Sequence, residues 1–173
     1  MSSSPTPRPS GVRWLDEREQ RAWRGTIAGS ILLVDQLDRD LRTAHDLTLA
    51  DYEILVHLSE ADEDRLRMSE LADAALVSRS RLTHRINRLG ARGLVEREAC
   101  PTDKRGTYAV LTAAGRTLLE TAAPTHVDSV RRHLVDHLEP DELDVLGQVL
   151  GRVAEKLAPG PATVWGPLLD ADR

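Results

Sequence analysis

Apolar positions recur along this chain at three- and four-residue steps in some stretches and at two-residue steps in others, and the switches between the two rhythms mark out its elements. Trp23, Ile27, Ile31, Val34, Leu37 and Leu41 form one long helical stripe. It predicts a helix over roughly 16–45, with Asp16 and Glu17 in the first turn where acids suit the helix dipole. A helix of that length needs an extended surface to pack on, and a second chain is the simplest one. Thr48 is placed as an N-cap, with Asp51 three residues on, for a helix reaching Ser59. An acidic loop, Glu60 to Asp64, and a short strand, Arg65 to Met68, come next. Ser69 then caps a helix holding Leu71, Ala72 and Ala75.

A tight turn at Leu76-Val77 leads to Ser78, the cap of a helix over 78–92 that Gly93 ends. Two strands, Leu94 to Glu98 and Thr107 to Leu111, flank a turn-rich loop running from Cys100 to Gly106. Thr112 caps a long helix to about Leu138, which Pro124 should bend. Pro140 suits the first turn of a last helix, 140–158, stopped by Pro159-Gly-Pro161. The order describes a helix-turn-helix followed by a β-hairpin, which is a winged helix. The fold class is mainly α with a small β-hairpin wing (α+β), with long N- and C-terminal dimerisation helices. A single domain spans 13–158: a lobe over about 50–112 and dimerisation helices over about 14–46 and 112–158. Residues 1–12, with Pro5, Pro7, Pro9 and Gly11, read as a flexible tail, and 159–173 as a second tail.

Charge sharpens this picture. The chain carries a formal charge of −5. Yet residues 78–108 hold eight basic side chains against three acidic ones, leaving fifteen basic and twenty-five acidic elsewhere. Such segregation is the mark of a local anion-binding surface. On a wheel of 100° per residue, Leu82, Ile86 and Leu89 fall on one side of helix 78–92. Ser80, Thr83, His84, Asn87 and Arg88 fall opposite, with Arg81 at the edge. Those side chains can hydrogen-bond base edges or phosphates, and the second helix of such a motif enters the major groove of DNA. Ser78 and Arg79 lie at its N-terminus, where amides suit a phosphate. Lys104 and Arg105 are placed at the wing tip, where an arginine can enter the minor groove, and Asp103 is expected to hold Arg105 or cap the loop.

Two stretches carry a family resemblance. L-A-D-A-A-L-V-S-R-S-R-L-T-H-R-I-N-R-L-G-A-R-G-L-V-E-R, residues 71–97, resembles the helix-turn-helix of the MarR (multiple antibiotic resistance regulator) family. D-K-R-G-T-Y-A-V-L-T-A-A-G, residues 103–115, resembles that family's wing and returning strand. With the flanking helices the likeness covers about 14–158. It implies that Ser78 to Arg88 form the recognition helix, that Arg105 is the wing arginine and that Asp103 is the wing aspartate. It also implies a homodimer with interlocked terminal helices, bound to double-stranded DNA at a pseudo-palindromic site. A small-molecule effector pocket would lie between the dimer helices and the DNA-binding lobe. This chain departs from the pattern at Leu76, where many members have glycine, and at Asn87, where an acid is common. A positive φ at Leu76 would cost roughly 1 kcal/mol.

Other side chains carry chemistry of their own. Trp23 and His57 could line an effector pocket, or serve plain core or dimer packing. His126, His133 and His137 share a predicted helical face, which suits zinc or, more simply, a surface or interface. Cys100, near Arg97 and Lys104, reads as an exposed thiol, with redox sensing the sharper alternative. No nucleophile–base pair, phosphate loop or cofactor fingerprint is visible, so neither an enzyme nor a cofactor is expected. A lone cysteine, the lack of a visible signal peptide and an aliphatic run of only Ile31-Leu32-Leu33-Val34 point to a cytoplasmic, non-membrane protein. The rival function is a helical protein-interaction module that keeps the winged-helix shape without binding DNA.

Overall fold

The computed structural model describes residues 11–100, 103 and 106–157. Residues 1–10, 101, 102 and 158–173, together with Lys104 and Arg105, lie outside the described residues, and with them most of the expected 1–12 segment and all of 159–173. Helix α1 (Glu17–His45) opens with a capping box, in which the Asp16 carboxylate accepts from the Glu19 amide and the Glu19 carboxylate from the Asp16 amide. Helix α2 (Leu49–Ser59) begins at Thr48, whose hydroxyl accepts from the Asp51 amide. The Asp51 carboxylate does not complete the reciprocal box expected from its spacing; it is buried and turned toward a helix later in the chain.

Strand β1 (Arg65–Arg67) runs directly into helix α3 (Met68–Ala74), whose cap lies two residues ahead of the predicted Ser69. Here Arg67 is the cap position, and its amide donates to the Glu70 carboxylate. The turn to helix α4 (Arg79–Ala91) contains Leu76 at φ 51°, so the position where glycine was expected does adopt the left-handed conformation. Strands β2 (Val95–Ala99) and β3 (Thr107–Leu111) pair antiparallel, and β1 adds to the other edge of β3, giving the order β1-β3-β2.

Thr112 ties the hairpin to helix α5 (Ala113–His133): its hydroxyl accepts from the Gly115 amide and donates to the Gly93 carbonyl. Helix α5 stops five residues short of the predicted end, because Leu134 leaves helical geometry at φ −135°, ψ −66°. His137 therefore belongs to a separate 3₁₀ turn, Val135–His137, and not to the α5 face. Helix α6 (Pro140–Leu157) ends the described chain.

One apolar core joins the lobe. Leu37 and Leu41 of α1, Ile54, Leu55 and Leu58 of α2, Leu71 of α3, and Leu82, Ile86 and Leu89 of α4 meet Val95, Ala109 and Leu111 of the sheet. The α1 stripe divides at this core. Its C-terminal part is buried, but Trp23, Ile27, Ile31 and Val34 are exposed in the single chain. Helix α6 likewise exposes Val145, Val149, Leu150 and Val153.

Helix α5 approaches the hairpin so closely that Gly115 has no room for a side chain. A Cβ there would stand 2.2 Å from the Leu94 carbonyl oxygen and 2.8 Å from Leu111 Cδ1. Gly115→Ala should therefore lower stability by about 1–3 kcal/mol, the cost of overpacking against backbone that cannot yield. Urea unfolding of the variant against the parent protein checks this.

Candidate nucleic-acid interface

The apolar side of α4 is pinned to the core by Leu82, Ile86 and Leu89, none more than 1% exposed. Burying three positions spaced by four and three residues leaves one orientation for the helix. Ser78, Arg79, Ser80, Arg81, Thr83, His84, Asn87 and Arg88 are all exposed as a result, and Arg85 is half-buried at the margin. Ser78 caps α4 through its hydroxyl, which accepts from the Arg81 amide at 3.3 Å. The first turn of α4 contains no acidic residue, so nothing on the helix itself neutralises its positive N-terminal end.

Beneath this surface lies Asp51, 1% exposed on α2. Arg88 donates through Nη2 to both of its carboxylate oxygens, at 2.7 and 2.6 Å, and Arg85 Nη1 stands 3.5 Å away. The sequence places Arg88 on the outward face of α4, and the structure commits part of its guanidinium to the core. Its side chain remains 54% exposed, because the rest of the group faces outward. Sequence reasoning missed this ion pair: Asp51 and Arg88 are 37 residues apart, and Asp51 has the spacing of a capping residue.

Two clefts flank α4. One, about 430 Å³, lies on the wing side and is lined by Arg67, Ser69, Arg79, Thr83, Arg97 and Asp103. Arg67 organises its floor. The guanidinium pairs with the Asp103 carboxylate at 3.3 Å, donates to Cys100 Sγ at 3.3 Å and stacks on the Tyr108 ring, 5.7 Å from its centroid. The Asp103 backbone carbonyl accepts from the Gly106 amide at 2.8 Å, a main-chain bond that closes the loop. The Asp103 carboxylate reaches β1, a partner that the sequence did not indicate. Cys100, expected to be exposed, is buried beneath Arg67. The second cleft, about 390 Å³, lies on the opposite flank between α1, α2 and α4.

The remaining candidates are dispersed. Trp23 is exposed on α1 and His57 is half-buried on α2, and neither lines the two clefts. His126 packs on Tyr52 with ring centroids 4.6 Å apart, and His133 Nε2 lies 3.3 Å from Asp40. Among the described residues no three His, Cys, Asp or Glu side chains converge as a metal site, and no helix is long and apolar enough to cross a membrane.

Residues 45–106 match the MarR family. AbsC, a MarR family transcriptional regulator from Streptomyces coelicolor, is 49% identical over 84% of this chain and 98% of its own, with a TM-score of 0.80. The chain belongs to the MarR family. Sco3205, another MarR family regulator from Streptomyces coelicolor, was solved in complex with DNA; it is 44% identical over 88% of this chain and 95% of its own, with a TM-score of 0.84. The Escherichia coli transcriptional regulator HosA is 32% identical over 108 residues, 62% of this chain and 78% of HosA. As a MarR family member, the protein is a winged-helix transcriptional regulator and not an enzyme.

Burial holds His57 and His126 below the ordinary imidazole range, since a charged ring would be poorly solvated there. The unfolded chain takes up protons at these rings near pH 6.5, before the folded chain does. Stability should therefore be full above about pH 6.5 and decline as pH falls through that region toward the depressed folded values. His126→Phe, which keeps the packing on Tyr52, should flatten part of that decline. Denaturant midpoints measured across the range test this, and an unchanged slope in the variant would refute it.

Proposed function

We propose that the protein acts as a homodimer that binds double-stranded DNA at a pseudo-palindromic site and releases it in response to a small-molecule effector. The observation that carries the DNA-binding part is the outward face of α4. Ser80, Arg81, Thr83, His84 and Asn87 stand exposed together while Leu82, Ile86 and Leu89 hold the helix from behind. These side chains have the length and polarity to read base edges in a major groove. Ser78 and Arg79 approach a phosphate at the helix start. Lys104 and Arg105 join the proposal on sequence alone, as wing cations directed at the neighbouring minor groove. The DNA complex of Sco3205, 44% identical to this chain, supports the same use of the lobe.

Dimerisation rests on the exposed apolar faces. Ile27, Ile31 and Val34 on α1, and Val145, Val149 and Val153 on α6, are large apolar side chains left exposed along two helices, the kind of surface that a partner covers. Joining two copies through these helices covers it. The two recognition helices would then read half-sites one turn apart, about 34–36 Å. An effector that prefers a differently spaced dimer weakens DNA binding by population shift. Trp23 and His57 are its proposed contacts. Trp23 lies on the part of α1 that dimerisation would cover, and His57 lies on the helix that joins α1 to the lobe.

Three measurements bear on this reading. With about six phosphates engaged across the dimer, log K should fall with log salt at a slope near −5, and a flat response would refute it. Thr83→Ala and His84→Ala should alter base preference by about 1–3 kcal/mol at the contacted positions, read by selection from random duplexes, whereas Arg105→Ala should weaken all sequences alike. Ile31→Glu together with Val149→Glu should yield monomers in sedimentation equilibrium with much weaker DNA binding. Persisting dimers would overturn the assigned interface.

A further inference from the structure

The cleft on the far side of α4 from the wing shares Arg81 and His84 with the recognition surface described above, but it also draws on α1, which makes no DNA contact in that reading. It is formed where the C-terminal part of α1, the start of α2 and the exposed side of α4 meet, and four guanidiniums line it: Arg42, Arg81, Arg85 and Arg88. Asp38 also lines the cleft, and Asp51 is buried behind it. Four cations against two carboxylates leave the groove positive. Yet three of the cations are not loose. Arg42 donates to Asp38 through Nε, which leaves both terminal nitrogens of a side chain that is 59% exposed. Arg88 spends only Nη2 on Asp51, and Arg85 stands 3.5 Å from the same carboxylate. Asp38 is itself fixed, because its other oxygen accepts from the Leu49 amide at 2.9 Å.

We infer that this groove is a binding site for the DNA backbone phosphate on the α1 and α2 side of the recognition helix, with Arg42 as its outermost contact. The inference rests on the DNA-binding reading above and extends it to a helix outside the winged helix. An α-helix with its side chains is about 10–12 Å across and the major groove is about 12 Å wide, so a helix seated there meets phosphate walls on both flanks. On one flank of α4 stands the wing-side cleft; on the other stands this groove. A guanidinium already held by a carboxylate on one edge presents its remaining N–H groups in a fixed fork suited to phosphate oxygens. Little side-chain freedom is then left to lose on binding. Arg42 also belongs to α1, the helix proposed to carry the dimer contact, so phosphate binding here would couple the spacing of the two lobes directly to DNA.

The test uses the full-length protein and a long mixed-sequence duplex, titrated over a range of potassium chloride concentrations. Arg42→Gln should make the slope of log K against log salt shallower by about 1.8, or 0.9 for one phosphate lost in each subunit. Arg42→Lys, which keeps the charge, should restore most of it. The control is Arg39→Gln, which removes a charge paired with Asp35 on the same helix but outside the groove; it should leave the slope unchanged. A slope unaltered in Arg42→Gln, or lowered equally in Arg39→Gln, overturns the groove while leaving the DNA-binding reading intact. Absence of any binding by the parent protein overturns both.

Discussion

Everything on the outer surface of the lobe depends on how α4 is held from beneath. Leu82, Ile86 and Leu89 remove one side of the helix from water, and at about 1.5–3 kcal/mol for each fully buried side chain that preference is strong enough to set the rotation of the helix. Apolar burial has no direction of its own, however, and would tolerate a small roll. The Arg88–Asp51 pair adds the direction. A carboxylate that is 1% exposed cannot be left uncompensated, so the guanidinium must return to the same place each time the chain folds. Together the two interactions convert a periodic sequence into a surface with defined positions for Thr83, His84 and Asn87.

The same logic explains why an acidic chain can present a basic surface. Its carboxylates are not distributed to cancel the arginines at large. Asp38 and Asp51 meet particular guanidiniums, those of Arg42 and Arg88, from the inner side, and Asp103 meets Arg67 from the wing loop. Each contact orients its cation, and those of Arg42 and Arg88 leave nitrogen atoms facing outward. Net charge describes solubility and long-range fields, whereas the local field at a cleft is set by which groups line it. Three arginines line the wing-side cleft and four line the α1 and α2 groove, in a protein whose formal charge is −5.

Rigid packing and exposed apolar surface are divided between the two ends of the molecule. The lobe is closed around one core, with α5 drawn against the hairpin at Gly115. Helix α1 is half inside this core and half outside it: Leu37 and Leu41 are buried, while Ile31 is 63% exposed. A helix shared in this way transmits whatever its outer half packs against to the lobe that its inner half supports. Strain is accepted in a few places, as at Leu76, where the left-handed turn between α3 and α4 is made without glycine.

Periodicity and capping chemistry determined the order and type of the elements, because helical and strand rhythms and residues such as Thr48, Ser78 and Thr112 act over a few neighbouring positions. The apolar and polar sides of α4 were legible for the same reason. What the sequence could not settle was every contact between groups distant along the chain. The Asp51 carboxylate was spaced to cap its own helix, and only the packing of α2 against α4 turned it toward Arg88. Cys100 read as exposed until Arg67, brought across by the β1–β3 pairing, was laid over it. Local propensity is written in adjacent residues, whereas burial and charge pairing belong to surfaces that exist only once the elements have met.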